Sequence, residues 1–291
     1  MTEINKDTQD TNPLGKYYRQ PQIYITLPTK GKYYPADVFE PTETGEIPVF
    51  PMTAMDELAF KTPDSLISGQ STVDVIKSCV PNMKNPWKMT NYDTDTILLA
   101  IRVATYGEMM SMSFTIPGSN EKVDHSVNLP ALLEGLAKVD VIDTATTESG
   151  FKLKVAPLDY QTLTKTQTAR FEQEKIYTTV NAAALDEKTK NNQFAKSFKI
   201  LNTINFELLV ESILEITTPD GVTVTDKMQI QQFCKNCETK IINEIQEELG
   251  KIREQAQVPP LRMKATEEHI KKGAPATYEV PLTFDQSNFF G

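Results

Sequence analysis

Cys234-Lys235-Asn236-Cys237 is the stretch whose residue types and spacing could do chemistry. Two thiols three positions apart can grip a metal ion or cycle through a disulfide, but a closed zinc site needs four ligands in tetrahedral array. The remaining donors, Cys79, His125 and His269, are not paired at ligand spacing. Between Asp226 and Glu254, residues Ile230, Cys234, Cys237, Ile241, Ile245, Leu249 and Ile252 recur every three or four positions. That period predicts one long amphipathic helix with both sulfurs on its apolar seam, where a free thiol behaves as a small hydrophobe. Packing is therefore the reading of the two cysteines, with a Cys-based metal-binding module as the alternative; no metal and no cofactor is expected.

The rest of the chain offers little to a catalytic scheme. Two histidines limit acid/base and triad chemistry, and no G-x-S-x-G, H-E-x-x-H or G-x-x-x-x-G-K-[ST] pattern occurs. Asp56-Glu57 follows Thr53 at the start of an apolar helical pattern, where the helix dipole favours carboxylates. The expectation is a protein that is not an enzyme.

The elements around these residues read as α+β. A short alternation at Ile23, Ile25 and Leu27 runs into Pro28, a turn with Gly31, and Tyr33-Tyr34 before Pro35. Pro28, Gly31, Tyr34, Pro35 and Asp56 are taken as structural residues. A second strand at Ile47 to Phe50 leads into the helix start at Thr53; another start falls at Thr62-Pro63, and Ser71-Thr72 is placed to cap Val73 to Val80. Asp93 or Asp95 is placed to cap Ile97 to Tyr106, which is apolar on nearly every face and so belongs in the middle of the fold. A hairpin follows, Met112 to Ile116 and Lys122 to Leu129, turning at Pro117-Gly118-Ser119-Asn120, with a short helix after Pro130.

From Phe151 the order repeats: strand, Pro157, helix cap, then a charged helix from Tyr160 to Tyr177, a loop at 186–192 and a long helix from Phe194 to Ile216. Phe194, Phe198, Leu201, Ile204 and Leu208 form its apolar stripe. Glu207, Glu211 and Glu215 step along its outer face every four residues, readable as a solvated surface or as a docking stripe for a basic partner. A degenerate duplication and two halves that merely share element order both explain the echo. The organisation expected is a disordered polar arm at 1–22, an N-terminal α+β half at 23–150, a C-terminal α+β half at 151–255 ending in the long amphipathic helix, and an extended Pro-rich tail at 256–291. That tail ends in aromatics; Phe284, Asn288, Phe289 and Phe290 are candidate partner-binding residues, since side chains of this kind gain about 1.5–3 kcal/mol each on leaving water.

The net charge of −9 disfavours nucleic acid as a partner. No apolar run approaches the ~18 residues of a membrane helix, so no membrane association is expected. The polar first residues lack the pattern of a secretory signal, and three free cysteines suit a reducing cytosol.

The run L-P-T-K-G-x-x-Y-P at Leu27 to Pro35, P-M-T-A-M-D-E at Pro51 to Glu57, V-I-K-S-C-V at Val75 to Val80 and the final F-D-Q-S-N-F-F-G resemble the baseplate hub assembly proteins of T-even-type contractile-tailed bacteriophages. The resemblance implies a non-enzymatic factor that promotes hub formation in the host cytoplasm by contact with baseplate hub and tail proteins, or a minor hub component. A permanent structural subunit of the virion tail is the alternative. Relatives carrying paired cysteines near the hairpin differ here, where the chain reads Pro117-Gly118-Ser119-Asn120.

Overall fold

The computed structural model describes residues 12–60, 68–119, 121–182, 186–255 and 258–282. Strand β1 (Ile23–Ile25) pairs antiparallel with β2 (Ile47–Val49), Ile23 opposite Val49. Helices α1 (Ala54–Phe60) and α2 (Gln70–Cys79) lead to α3 (Asn91–Tyr106), whose Ile97, Leu99, Ala100 and Ile101 are fully buried. An apolar surface all round needs neighbours all round. They are β1, β2, α2 and α4 (Leu129–Ala137), and these elements share one core cluster. Between α3 and α4 lies the hairpin β3 (Met109–Thr115) and β4 (Lys122–Asn128), with Met112 opposite His125.

Two expected caps move. Thr90 caps α3, its Oγ1 accepting from the Asp93 N–H, and both Asp93 and Asp95 lie inside the helix. Helix α2 begins at Gln70 after a left-handed Gly69, which leaves Ser71 and Thr72 inside the helix and buried; the Ser71 hydroxyl donates to the Ala59 carbonyl at 2.9 Å. The start expected at Thr62-Pro63 lies outside the described residues.

The second region is built on a four-stranded antiparallel sheet, β5 (Thr144–Thr146), β6 (Lys152–Val155), β7 (Ile213–Thr217) and β8 (Thr223–Val224), paired in that order. Between β6 and β7 come α5 (Tyr160–Ala182) and α6 (Glu187–Ser212), an antiparallel pair of about 35 and 39 Å at 1.5 Å per residue. The loop expected at 186–192 is instead the first turn of α6, capped by Asp186, whose carboxylate accepts from the Thr189 N–H at 2.9 Å. The helix expected to run to Ile216 stops at Ser212, because Ile213 turns extended and Ile213 and Ile216 enter the sheet core.

The long last helix is two. Helix α7 (Lys227–Asn236) ends at an extended Cys237 and α8 (Thr239–Gln255) starts afresh, so that Ile230 and Cys234 from one and Ile245, Leu249 and Ile252 from the other all enter the core of the sheet.

The tail, expected to be extended, carries structure as far as residue 282. Strand β9 (Leu261–Lys264), helix α9 (Glu267–Lys271) and strand β10 (Thr277–Val280) form a small hairpin, Tyr278 opposite Met263. It packs on the tip of the β3–β4 hairpin through Ile116, Phe114, Ala274, Tyr278 and Val280. At the other end, Arg19 falls within the span expected to be a disordered arm. It donates to the Pro51 carbonyl at 2.7 Å, to the Ser78 carbonyl at 2.7 Å and to Asp56 at 3.3 Å. The mixed α+β class is as expected.

Candidate functional site

Residues of the Leu27–Pro35 motif converge on a buried carboxylate. After Leu27 and Pro28, both buried, the backbone turns through Lys30 and Gly31, which both take left-handed φ (52° and 76°). A side chain at position 31 would also press on the Phe39 ring, at 3.0 Å. This turn points Thr29 and Tyr34 at Asp93, which has no exposed surface. One oxygen of Asp93 accepts from the Thr29 N–H at 3.1 Å; the other accepts from both the Thr29 hydroxyl and the Tyr34 hydroxyl. Tyr34 in turn accepts from the Thr90 N–H at 2.9 Å, and the Pro35 carbonyl accepts from Val38 N–H at 2.9 Å. Burial pushes the Asp93 carboxyl up despite three donors, and burial beside Asp93 pushes the Tyr34 phenol well above its ordinary value. The network is a strut that locks the loop to the start of α3.

Asp56 makes a second strut. It accepts from the Thr53 N–H at 2.7 Å while Thr53 Oγ1 accepts from the Asp56 N–H at 3.2 Å, a reciprocal cap, and it also holds Arg19 and Ser78.

Asp95, half-buried one turn along α3, has its carboxyl pushed up to about 6 by burial. The protonated form is the one the fold favours, so its contribution is fully present below the ordinary carboxylate value and is lost as pH rises toward 6. The expected result is that Asp95→Asn raises the unfolding free energy at pH 7 by up to roughly 3 kcal/mol and does little at pH 4, checked by urea melts at both.

The three thiols are free, Cys79 and Cys234 buried and Cys237 partly so. Burial pushes Cys234 up to about 11 and Cys79 up to about 12, and Cys237 is raised as well. Among the described residues no three His, Cys, Asp or Glu side chains come together as a metal site. His125 lies on β4, and His269 lies on α9 rather than in an extended tail, 3.4 Å from Glu121.

The proposed partner-binding residues separate. Phe284, Asn288, Phe289 and Phe290 lie outside the described residues. Glu207 and Glu211 are exposed on α6, but Glu215 is on β7 opposite Lys154, so the three do not form one stripe. Sequence reasoning also placed Phe198 inward; it is 58% exposed, and Ser197 takes the inward position. Phe171, Ile176, Tyr177 and Ile200 are likewise exposed on the α5–α6 hairpin. Between residues 165 and 201 the buried side chains among those described are Gln173, Val180 and Ser197. The signal that could have found these exposed residues is the near absence of an apolar stripe on α5.

Struts inside and a helical hairpin with exposed aromatics outside are what the described residues present. The family model of the T4 bacteriophage base plate protein matches residues 20–269, and the chain belongs to that family. No curated protein and no solved structure matches the chain. Membership gives it a structural or assembly role in a phage baseplate, with other baseplate proteins as its partners. No helix among the described residues is long and apolar enough to cross a membrane.

Proposed function

We propose that the protein promotes formation of the central hub of the baseplate through protein–protein contacts, transforming no substrate, and that it does so in the host cytoplasm as an assembly factor or minor hub component. The observation that carries this reading is the α5–α6 hairpin, whose Phe171 and Phe198 are more than half exposed at a site with few buried side chains of its own. Apolar groups held out in this way favour burial against a partner. Residues 165–200 carry seven basic against four acidic side chains in a chain of net charge −9. The complementary partner surface is therefore acidic, not basic as the Glu207–Glu211 face alone would suggest. The aromatic tail with Phe284, Asn288, Phe289 and Phe290 supplies a second point of attachment in this reading.

Co-expression with baseplate hub proteins and size-exclusion chromatography tests the proposal. Phe171→Asp with Phe198→Asp should leave the fold intact, both sites being exposed, and weaken co-elution by about 100-fold or more. Unchanged co-elution of the double variant would overturn the assignment to the hairpin. The family's description as a base plate protein favours a second reading, a permanent virion subunit. Mass spectrometry of purified virions separates the two, stoichiometric presence supporting the subunit and absence the assembly factor.

A further inference from the structure

The register of the β3–β4 hairpin decides where its unpaired backbone groups point. Leu129 donates its N–H to the Glu108 carbonyl at 2.9 Å and Ile116 donates to the Glu121 carbonyl at 2.8 Å, so Glu108/Leu129 and Ile116/Glu121 are hydrogen-bonded pairs of the ladder. Hydrogen-bonded and non-hydrogen-bonded pairs alternate along an antiparallel ladder. Met110, Met112 and Phe114 therefore bond inward to β4, and Met109, Ser111, Ser113 and Thr115 direct their N–H and C=O away from it. No third strand joins these two, and among the described residues none of the four outward residues makes a backbone hydrogen bond elsewhere. All four are exposed.

The other strand edges of the chain are blunted by the usual devices of shortness, proline and charge. Strands β1, β5 and β8 have three residues or fewer, and β2 holds Pro48. Strand β9 carries Arg262 and Lys264, β10 carries Glu279, and the outward positions of β4 include Lys122 and Asp124. Strand β3 has seven residues, MMSMSFT, with no charge, no proline and no glycine. Such an edge is a template for one more strand, and its own sequence fits it. Set antiparallel to itself with all seven residues overlapping, Ser111 lies opposite the second copy's Ser113, and Met109 opposite its Thr115. Every outward N–H and C=O then has a partner. On the other face Met112 meets its own copy and Met110 meets the copy's Phe114, a sulfur–aromatic pair, where Met112 and Phe114 are only half-buried in the single chain. Two chains of net charge −9 repel, so a neutral edge is where they can approach at least cost. We infer that β3 is a self-association edge, through which two copies of this chain pair antiparallel and join their hairpins into one four-stranded sheet. The inference does not rest on the hub reading, and its test uses this chain alone.

Sedimentation velocity of the full chain between about 1 and 200 μM is expected to show monomer passing to dimer, with a Kd on the order of 10 μM for so small a contact. Ser111→Lys with Ser113→Lys sets lysine against lysine at both central pairs and should weaken the dimer about 100-fold. The two lysines also reduce the overall negative charge, so general repulsion cannot explain that loss. Mixing this variant with Ser111→Glu/Ser113→Glu should restore a dimer, now a mixed one, because each lysine faces a glutamate. Both positions are exposed, and circular dichroism checks that the variants fold. Ser126→Lys, on the edge of β4, should leave the parent dimer unchanged. A parent chain that stays monomeric to about 200 μM overturns the proposal, including one that takes up an extended strand of another baseplate protein instead. A dimer that survives both lysines, one that the oppositely charged mixture fails to restore, or one that Ser126→Lys abolishes overturns it as well.

Discussion

Replacing Asp93 with alanine is expected to lower the unfolding free energy by about 3–5 kcal/mol, the cost of removing one partner from a buried charged network. The size follows from what is left behind. Thr29 loses the acceptor for both its N–H and its hydroxyl, and Tyr34 loses the acceptor for its phenol, all at a site with no exposed surface on the carboxylate residue. Water cannot replace the lost acceptor without opening the loop. Asp93→Asn should cost much less, because its amide oxygen can still accept from the Thr29 N–H and both hydroxyls can turn to accept from the amide. A melting temperature lower by roughly 10 °C for the alanine variant, and a double-mutant cycle showing strong coupling between Asp93→Ala and Tyr34→Phe, would confirm the strut. An alanine variant within about 1 kcal/mol of the parent would show that the loop is held by its apolar contacts alone.

The strut also shows what could and could not be read from the chain. Helix α3 was legible because Ile97 to Val103, Arg102 apart, is apolar on nearly every face, and the β3–β4 hairpin because Pro117 and Gly118 punctuate two alternating runs. Asp93 was legible only as a capping candidate. Its burial depends on Thr29 and Tyr34, some sixty residues away, and no local pattern encodes that meeting. Periodicity misled at two joints. Its three-and-four spacing continues through Cys237 although the backbone breaks there, since Ile230 and Ile245 fill one core from separate helices. It also carried α6 past Ser212, where β-branched Ile213 and Ile216 mark a strand. The alternation of Leu261 with Met263, and of Tyr278 with Val280, was a strand signal hidden in a segment whose prolines and lysines suggested an extended tail. On the site side, the structural roles of Gly31 and Tyr34 follow from turn chemistry.

Gly118→Ala should release the C-terminal β9–β10 hairpin from the body of the protein. Gly118 sits at φ +83° in the hairpin turn, and a Cβ there would run into the Gly273 carbonyl oxygen and lie 2.9 Å from its carbon, both backbone atoms that cannot swing aside. Relief requires the two turns to separate by about 1 Å, which pulls Ile116 and Phe114 away from Ala274 and Tyr278 across a core of few residues. A small cluster has little reserve, so the loss should fall on the docked unit and spare the α3 core. Hydrogen exchange should rise by about 100-fold or more at Tyr278 and Val280, with protection at Leu99 and Ile101 unchanged. Lys272→Met provides the comparison. It removes only the half-exposed ion pair with Glu121, and should change exchange at Tyr278 by less than about fivefold, since pairs of this kind contribute under about 1 kcal/mol. If the lysine variant releases the hairpin and the alanine variant does not, charge rather than close backbone contact holds this end of the chain in place.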